Sequence, residues 1–363
     1  MVKNYFFNIS ILILLFAFLS SCKSDDDYIE IIEQVSPVVY NLDEMPYPKL
    51  SDYNFFNEAL NELDPVYGVL PYEPITSPFE EYAQKKRFIW MPKDVKASYV
   101  NDHSIFDFPV GTILIINFYY ENVLPNNTTR IIETRLFIKK EEEWIYADYI
   151  WNDEQIEAYS NLDGSFTEVE WVQNGETKSF NYRIPSESEC FTCHKVIDGG
   201  IIPVVPKPQN LDKSYSFADG SMNQLEKWVE MGYLENNYPS NINSVVDWEN
   251  PSQDINNRAR SYFDANCSHC HSDTGHCDYR KLRFAFNETE DPIKMGICLD
   301  ADTQILGLSK IVIPSDTDNS ILYNRVNTVA EELRMPLIGR SLLHDEGVQL
   351  IEEWINSLSG SCD

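Results

Sequence analysis

The chain has few basic residues: 28 lysines and arginines stand against 58 aspartates and glutamates, and the formal net charge is −30. A surface of this sign repels the phosphate backbone of nucleic acid, which excludes DNA and RNA as partners. It also gains nothing from anionic lipid headgroups. A basic protein or a small molecule is an easier partner, although acidity alone can simply keep a protein soluble.

Long hydrophobic runs are also missing, apart from one at the N-terminus. Residues 6–19 are apolar but short for a transmembrane helix, and they suit the hydrophobic region of a signal peptide. The run ends in Leu19-Ser20-Ser21-Cys22, which resembles the lipobox of bacterial lipoproteins. The resemblance implies that residues 1–21 are a signal peptide. It also implies that acylated Cys22 anchors an exported protein in the outer membrane, facing the periplasm or the cell surface.

The chain has no tandem repeat, and its composition changes along its length. Residues 22–65 form a polar segment that we interpret as a lipid-anchored tether or leader. Residues 66–185 contain short runs of β-branched and aromatic residues, separated by turns such as Asn174-Gly175. Short strands at this spacing predict an N-terminal domain resembling an antiparallel β-sandwich.

Residues 186–363 have a helical pattern instead. Apolar residues spaced as on one helical face run into Cys267, and a further amphipathic helix is predicted over residues 346–358. We therefore predict an α+β multidomain protein whose C-terminal domain is mainly α.

The most specific features are two pentapeptides, Cys190-Phe191-Thr192-Cys193-His194 and Cys267-Ser268-His269-Cys270-His271. Cys-x-x-Cys-His is the attachment signature of c-type haem. Two thiols three positions apart can each add to one vinyl group of a porphyrin, and the next histidine then faces the iron. The sequence predicts two covalently bound haem c groups, with iron ligands His194 and His271 and attachment residues Cys190, Cys193, Cys267 and Cys270.

Cysteine pairs have three other uses. The two pairs could hold one zinc ion, but the gap between them far exceeds the roughly 15–20 residues usual in a zinc ribbon. Zinc also does not explain a histidine directly after each pair. A dithiol redox motif needs a thioredoxin-like βαβ context, which the sequence lacks. Disulfides within a pair fit poorly, because cysteines so close in sequence rarely satisfy disulfide geometry.

The second motif resembles the core of a class I cytochrome c domain: a helix before the motif, a methionine loop after it, and a terminal helix. The resemblance implies that His271 is the proximal iron ligand and Met335 the distal one, a pair that raises the reduction potential. Core packing is the alternative role for Met335. The first motif is less complete, so Met231 is a weak candidate for its sixth ligand, and an open sixth position is the alternative.

Two further cysteines, Cys277 and Cys298, lie outside both motifs. In an exported protein they are candidates for a disulfide that fixes the loop after the second motif. That pairing would leave Cys362 as the odd thiol.

Taken with these motifs, the sequence resembles a family of two-haem c-type cytochrome lipoproteins, most of which have no assigned reaction. The resemblance covers roughly residues 50–358 and implies a β domain fused to a haem domain. It does not identify a substrate. The matching blocks are residues 87–92, 108–112, 132–136, 149–152, 189–194, 223–225, 258–271 and 334–354.

Three functions fit these features, and electron transfer between unidentified donor and acceptor proteins is favoured. The first alternative is a haem enzyme that reduces peroxide or oxidises a small molecule at an open first haem. The motif spacing, shorter than in diheme peroxidases, argues against it. The second is a lipoprotein whose β domain binds a glycan or partner, with accessory haems. An exposed aromatic row would favour it, and Trp144, Tyr146, Tyr149 and Trp151 are candidates, although core packing is their ordinary role.

Overall fold

The central feature of the protein is one antiparallel sheet of eight strands, seen in a computed structural model that describes residues 34–196 and 200–362. The strand order is β1-β2-β3-β4-β5-β6, with β7 beside β3 and β8 beside β7. The predicted signal peptide and Cys22 lie outside the described residues. The strands are β1 (Leu70–Tyr72), β2 (Gln84–Trp90), β3 (Ile113–Val123), β4 (Thr128–Lys139), β5 (Trp144–Trp151), β6 (Ala158–Ser160), β7 (Ser165–Gln173) and β8 (Glu176–Ile184).

Both faces of the sheet are covered by other parts of the chain. Side chains alternate along a strand, so Ile113 and Ile115 of β3 pack on one face while Leu114 packs on the other. The segment before β1, including Tyr53, covers the first face. The chain that follows β8, including Trp228, covers the second face. Each large apolar side chain buried in this way contributes roughly 1.5–3 kcal/mol of transfer free energy.

Six short helices and two small hairpins complete the described chain. None of these helices is long and apolar enough to cross a membrane. The helices are α1 (Glu187–His194), α2 (Pro208–Leu211), α3 (Gln224–Glu230), α4 (Ile255–Asn266), α5 (Ile321–Val326) and α6 (Asp345–Ser357). The first hairpin pairs β9 (Ser214–Phe217) with β10 (Gly220–Asn223), and the second pairs β11 (Asp300–Ile305) with β12 (Leu308–Lys310). Two short 3-10 helices, Leu50–Tyr53 and Leu60–Glu62, precede β1.

Helices α4 and α6 pack against each other next to the second motif. The Asp254 side chain caps α4 by accepting hydrogen bonds from two backbone N–H groups of the first turn. Phe263 of α4 packs edge-on against Trp354 of α6, with ring centroids 5.3 Å apart. Because α4 ends at the residue before Cys267, this packing fixes where the second motif begins.

The predicted fold class is wrong in both halves. The β region is one sheet rather than a sandwich, because all eight strands are joined in one hydrogen-bonded set and no separate second sheet of the described chain covers them. Segments with little regular structure pack on both faces, and side chains of β7 and β8 form a further buried cluster with those of β3 and β4.

The C-terminal part is not mainly α, because its helices are short and separated by long stretches of turns and loops. The structure as a whole contains 28% strand and only 17% helix. Residues 267–299 contain no helix and fold as successive turns. The residues from Ser36 onward form one compact unit, and the division into domains at residue 185 stays a prediction.

The predicted disulfide between Cys277 and Cys298 is also wrong. Cys298 is bonded to Cys362, with Cα atoms 5.1 Å apart, and Cys277 is a buried free thiol. The physical reason is tertiary: Cys298 N donates to the carbonyl oxygen of Val312, and the Cys362 sulfur lies against that same oxygen. The chain after α6 therefore returns to Cys298, which sequence spacing alone does not reveal.

Replacing Cys362 with serine should lower the free energy of unfolding by about 4 kcal/mol. The disulfide closes a loop with a sequence separation of 64 residues, and chain-entropy loss in the unfolded state gives roughly this value. Urea unfolding followed by circular dichroism would measure the change. The Cys298→Ser variant is the matched control and should show the same loss, whereas an unchanged unfolding midpoint in both would contradict the pairing.

Candidate functional site

The first motif lies on α1, directly after the last strand of the sheet. Ser186 and Glu189 form a capping box that starts the helix, with Ser186 N donating to the Glu189 carboxylate over 3.0 Å. Cys190 is buried in the cluster that contains Tyr146 and Phe137 of the sheet. Burial raises the pKa of the Cys190 thiol to about 11. The helix thus holds the first thiol of the motif against the sheet.

The His194 ring is held in the form that a metal ligand requires. Its Nδ1 atom lies 2.9 Å from the carbonyl oxygen of Ile202, which can only accept, so Nδ1 carries the proton. The ring packs against Phe137 with centroids 4.9 Å apart. Burial lowers the pKa of His194 and favours the neutral ring. A neutral imidazole whose Nδ1–H donates to a backbone carbonyl leaves Nε2 free to bind a metal.

The second motif forms a tight turn at the end of α4. Cys267 N donates to Phe263 O over 2.9 Å, and His271 N donates to Cys267 O over 3.0 Å. The His271 ring packs edge-on against Phe284 with centroids 5.4 Å apart. Burial lowers the pKa of His271 to about 4, so this imidazole is neutral as well. Its Nδ1 atom is buried and has no hydrogen-bond partner within the described residues.

A cavity of about 330 Å³ lies beside the second motif. It is lined by Cys193, Cys267, Cys270 and the His271 ring, and Met335 also faces it. The structure therefore brings together the two groups that the sequence predicts as opposite iron ligands. The volume is within the range of small-molecule and cofactor sites. Its apolar wall is formed by Phe263, Leu282, Phe284, Ile311, Leu322, Val326 and Leu337.

The two motifs meet although they are far apart in the sequence. The Cys193 and Cys270 sulfur atoms and a ring nitrogen of His269 all lie within 4.8 Å of one another. The Cys270 sulfur also lies 3.4 Å from the carbonyl oxygen of Thr192. A hydrogen bond from Cys270 lowers the pKa of Cys193 well below its usual value, and the same contact raises the pKa of Cys270. No sequence signal predicts this contact between the motifs.

Other candidate residues lie elsewhere. Met231 follows α3 and packs, half-buried, against the hydrophobic cluster that includes Cys190. Its role as sixth ligand of the first site stays a prediction. The four aromatic residues proposed for a glycan surface do not form an exposed row, because all four are buried in the sheet core. They are Trp144, Tyr146, Tyr149 and Trp151.

The donor atoms around the cavity fit a haem better than a zinc ion. The two thiols and the neutral imidazole of the second motif border an apolar cavity that the Met335 thioether also lines. Of the first motif, Cys193 lines this cavity, whereas Cys190 and His194 lie against the sheet. A zinc site at Cys193, Cys270 and His269 would have three protein donors, whereas structural zinc takes four. His194 and His271 would hold iron, and the four motif cysteines would bind the porphyrin.

Comparison of the chain with protein-family models, curated proteins and solved structures gave no match. The arguments for function therefore come from the motifs and from the geometry of the cavity.

Proposed function

We propose that the protein is an exported electron-transfer protein that carries two covalently bound haem c groups. The observation that carries this proposal is the cavity that unites Cys267, Cys270, His271 and Met335. In such a cavity the protein excludes water and supplies a nitrogen and a sulfur ligand. Haem supplies one-electron redox chemistry when bound.

Different residues of the chain would attach the two haem groups and orient their histidine ligands. Thioether bonds from the cysteines prevent dissociation, and the Ile202 carbonyl fixes the tautomer and orientation of His194. Phe284 limits rotation of the His271 ring. Because the Cys193 and Cys270 sulfur atoms lie within 4.8 Å of each other, two haem groups attached to the two motifs would be neighbours.

The cellular setting follows from the N-terminus and the net charge. We infer export and anchoring in the outer membrane through lipid on Cys22, so the protein would function as a two-haem cytochrome lipoprotein at the periplasmic or outer face. The strong negative charge favours a redox partner with a basic docking surface. No nucleic-acid partner is expected.

A zinc site is the second candidate, because Cys193, His269 and Cys270 lie close enough to share one ion. Zinc would bind without a covalent bond and would be lost in denaturant with a chelator. Haem joined through thioethers would remain on the chain. The two candidates therefore differ in a property that can be measured directly.

The deciding experiment is intact mass measurement of denatured full-length protein made in a host with haem c maturation machinery. We expect the mass of two porphyrins on the chain and two iron atoms per molecule. The Cys190→Ser/Cys193→Ser double variant should retain one porphyrin, and the Cys277→Ser control should retain both. Absence of any porphyrin mass would overturn the proposal, and one zinc per chain in that material would favour the second candidate.

Spectra of the same material test whether the protein is also an enzyme. Two low-spin ferric haems in electron paramagnetic resonance would favour simple electron transfer. A high-spin haem that binds cyanide or reacts with peroxide would favour enzyme activity at the first motif.

A further inference from the structure

A second and larger cavity lies apart from both cysteine motifs. This cleft of about 840 Å³ is bordered by residues 73–85, residues 247–251 and α6, and no motif residue lines it. Its volume is within the range of small-molecule sites. The cleft lies close to the cavity beside the second motif. Phe79, which lines the cleft, donates its backbone N–H over 2.8 Å to the side chain of Asn266, which lines that cavity.

Arg87 lines this cleft and has unused hydrogen-bonding capacity. The residue lies on β2, is only 5% exposed, and donates from one terminal nitrogen to the Ser77 hydroxyl over 2.7 Å. Its Nε atom is buried and lacks a partner, and no carboxylate of the described chain is within ion-pair distance of it. A buried guanidinium without an anion is unfavourable, so a site of this kind is suited to a carboxylate ligand.

The other buried cations of this region already have partners. Lys85 forms a 3.0 Å ion pair with Glu80 and donates to the Pro78 carbonyl over 2.7 Å. Arg135 is paired with Glu133 and Glu80.

Among the buried cations of this region, Arg87 therefore has no carboxylate of the described residues within ion-pair distance, and Glu80 and Glu73 act on it only from a longer distance. The half-buried Arg258 at the same cleft also has no ion pair within the described chain, but its Nε donates to the Trp248 carbonyl.

The remaining lining narrows the class of ligand. Six carboxylates and four cations line the cleft, and two of the carboxylates, Glu73 and Glu80, are paired with Lys213 and Lys85. The excess of negative charge would repel a multiply charged anion, while hydroxyl groups could donate to Glu249, Glu346 and Glu353.

Phe79 lines the cleft and stacks on the buried His344 with ring centroids 4.1 Å apart, so aromatic carbon forms part of the cleft wall. Aromatic faces beside hydrogen-bonding carboxylates suit the alternating C–H and O–H surface of a sugar ring.

We propose that this cleft binds a small monocarboxylate rich in hydroxyl groups, such as a sugar acid, with its carboxylate on Arg87. The guanidinium would donate two parallel hydrogen bonds to that carboxylate, while the bordering glutamates accept from the hydroxyl groups. This site goes beyond the proposed electron transfer and does not depend on haem attachment.

Isothermal titration of the purified full-length protein with D-glucuronate and D-glucose tests the proposal. The two probes differ by one carboxylate, so the protein should bind glucuronate about tenfold or more tightly than glucose. The Arg87→Gln variant should lose this preference. The Arg130→Gln variant removes a partly exposed arginine of β4, outside the cleft, and should keep the preference.

Several outcomes would overturn the inference. These are equal binding of the two sugars, no binding of glucuronate at millimolar concentration, or an unchanged preference in a folded Arg87→Gln variant. Inorganic phosphate binding as tightly as glucuronate would show a bare anion site instead. If Arg87→Gln does not fold, Arg87→Lys replaces it, because lysine keeps the charge but lacks the planar guanidinium with its two parallel donors. The proposal then requires that Arg87→Lys prefers glucuronate over glucose less strongly than the unmodified protein does.

Discussion

Replacing Met335 with leucine should abolish the sulfur-to-iron charge-transfer band of the ferric protein and lower the potential of one haem. Met335 faces the cavity that His271 and the thiols of the second motif also line, and it is half-buried there. Leucine has a similar volume, so the substitution removes the thioether with little change in packing. The potential should fall by on the order of 0.1 V, because axial ligands set haem potentials over a range of about 0.8 V.

Met295→Leu is the matched control. Met295 is 2% exposed in the hydrophobic core around α4 and α6 and does not line the cavity, so the band should remain. Met335→Ala should give the same loss of the band with an additional loss of stability. A band that persists in both Met335 variants would exclude this residue as a ligand, and Met231→Leu would then be the next variant to measure.

Several strands and helices could be located from sequence alone. The β-branched and aromatic runs at residues 130–138, 144–151 and 166–172 coincide with β4, β5 and β7, and α4 and α6 follow apolar helical faces. These signals are local, since they depend on side-chain alternation within a few residues. Whether the strands form one sheet or two depends on what covers their faces. The covering segments around Tyr53 and after β8 have no such periodicity.

The candidate site also has some features that local sequence predicts and others that depend on tertiary structure. The pentapeptide motifs are local, and the resemblance to a class I cytochrome c domain implies that His271 and Met335 lie near each other. Both residues line one cavity. The contact of Cys193 with Cys270 and the bond between Cys298 and Cys362 are tertiary pairings. Both pairings depend on the path that the chain follows through successive turns. Neither the composition nor the spacing of the cysteines predicts that path.

Glu133→Gln should destabilise the protein by about 3 kcal/mol, the lower end of the 3–5 kcal/mol typical for breaking a buried ion pair. Glu133 is fully buried, and its two carboxylate oxygens accept from Arg135 over 2.6 and 3.1 Å. Tyr182 also donates to Glu133 over 2.6 Å. Glutamine keeps the shape but removes the charge that balances Arg135. Urea unfolding measures the loss, and the exposed Glu170→Gln of β7 should change stability by less than about 0.5 kcal/mol.

Asp148 explains why the loss from Glu133→Gln should lie at the lower end. Burial and the neighbouring charge of Glu133 raise the pKa of Asp148 well above its usual value, so this carboxyl is neutral in the folded protein. The Glu133→Gln substitution leaves Asp148 buried but removes the charge that opposes its ionisation, so we expect Asp148 to ionise more readily and partly balance Arg135. The Glu133→Gln/Asp148→Asn double variant should therefore lose more stability than the sum of the two single losses. Strict additivity would show that Asp148 stays neutral in both backgrounds and that Glu80, 3.2 Å from Arg135, provides the remaining balance.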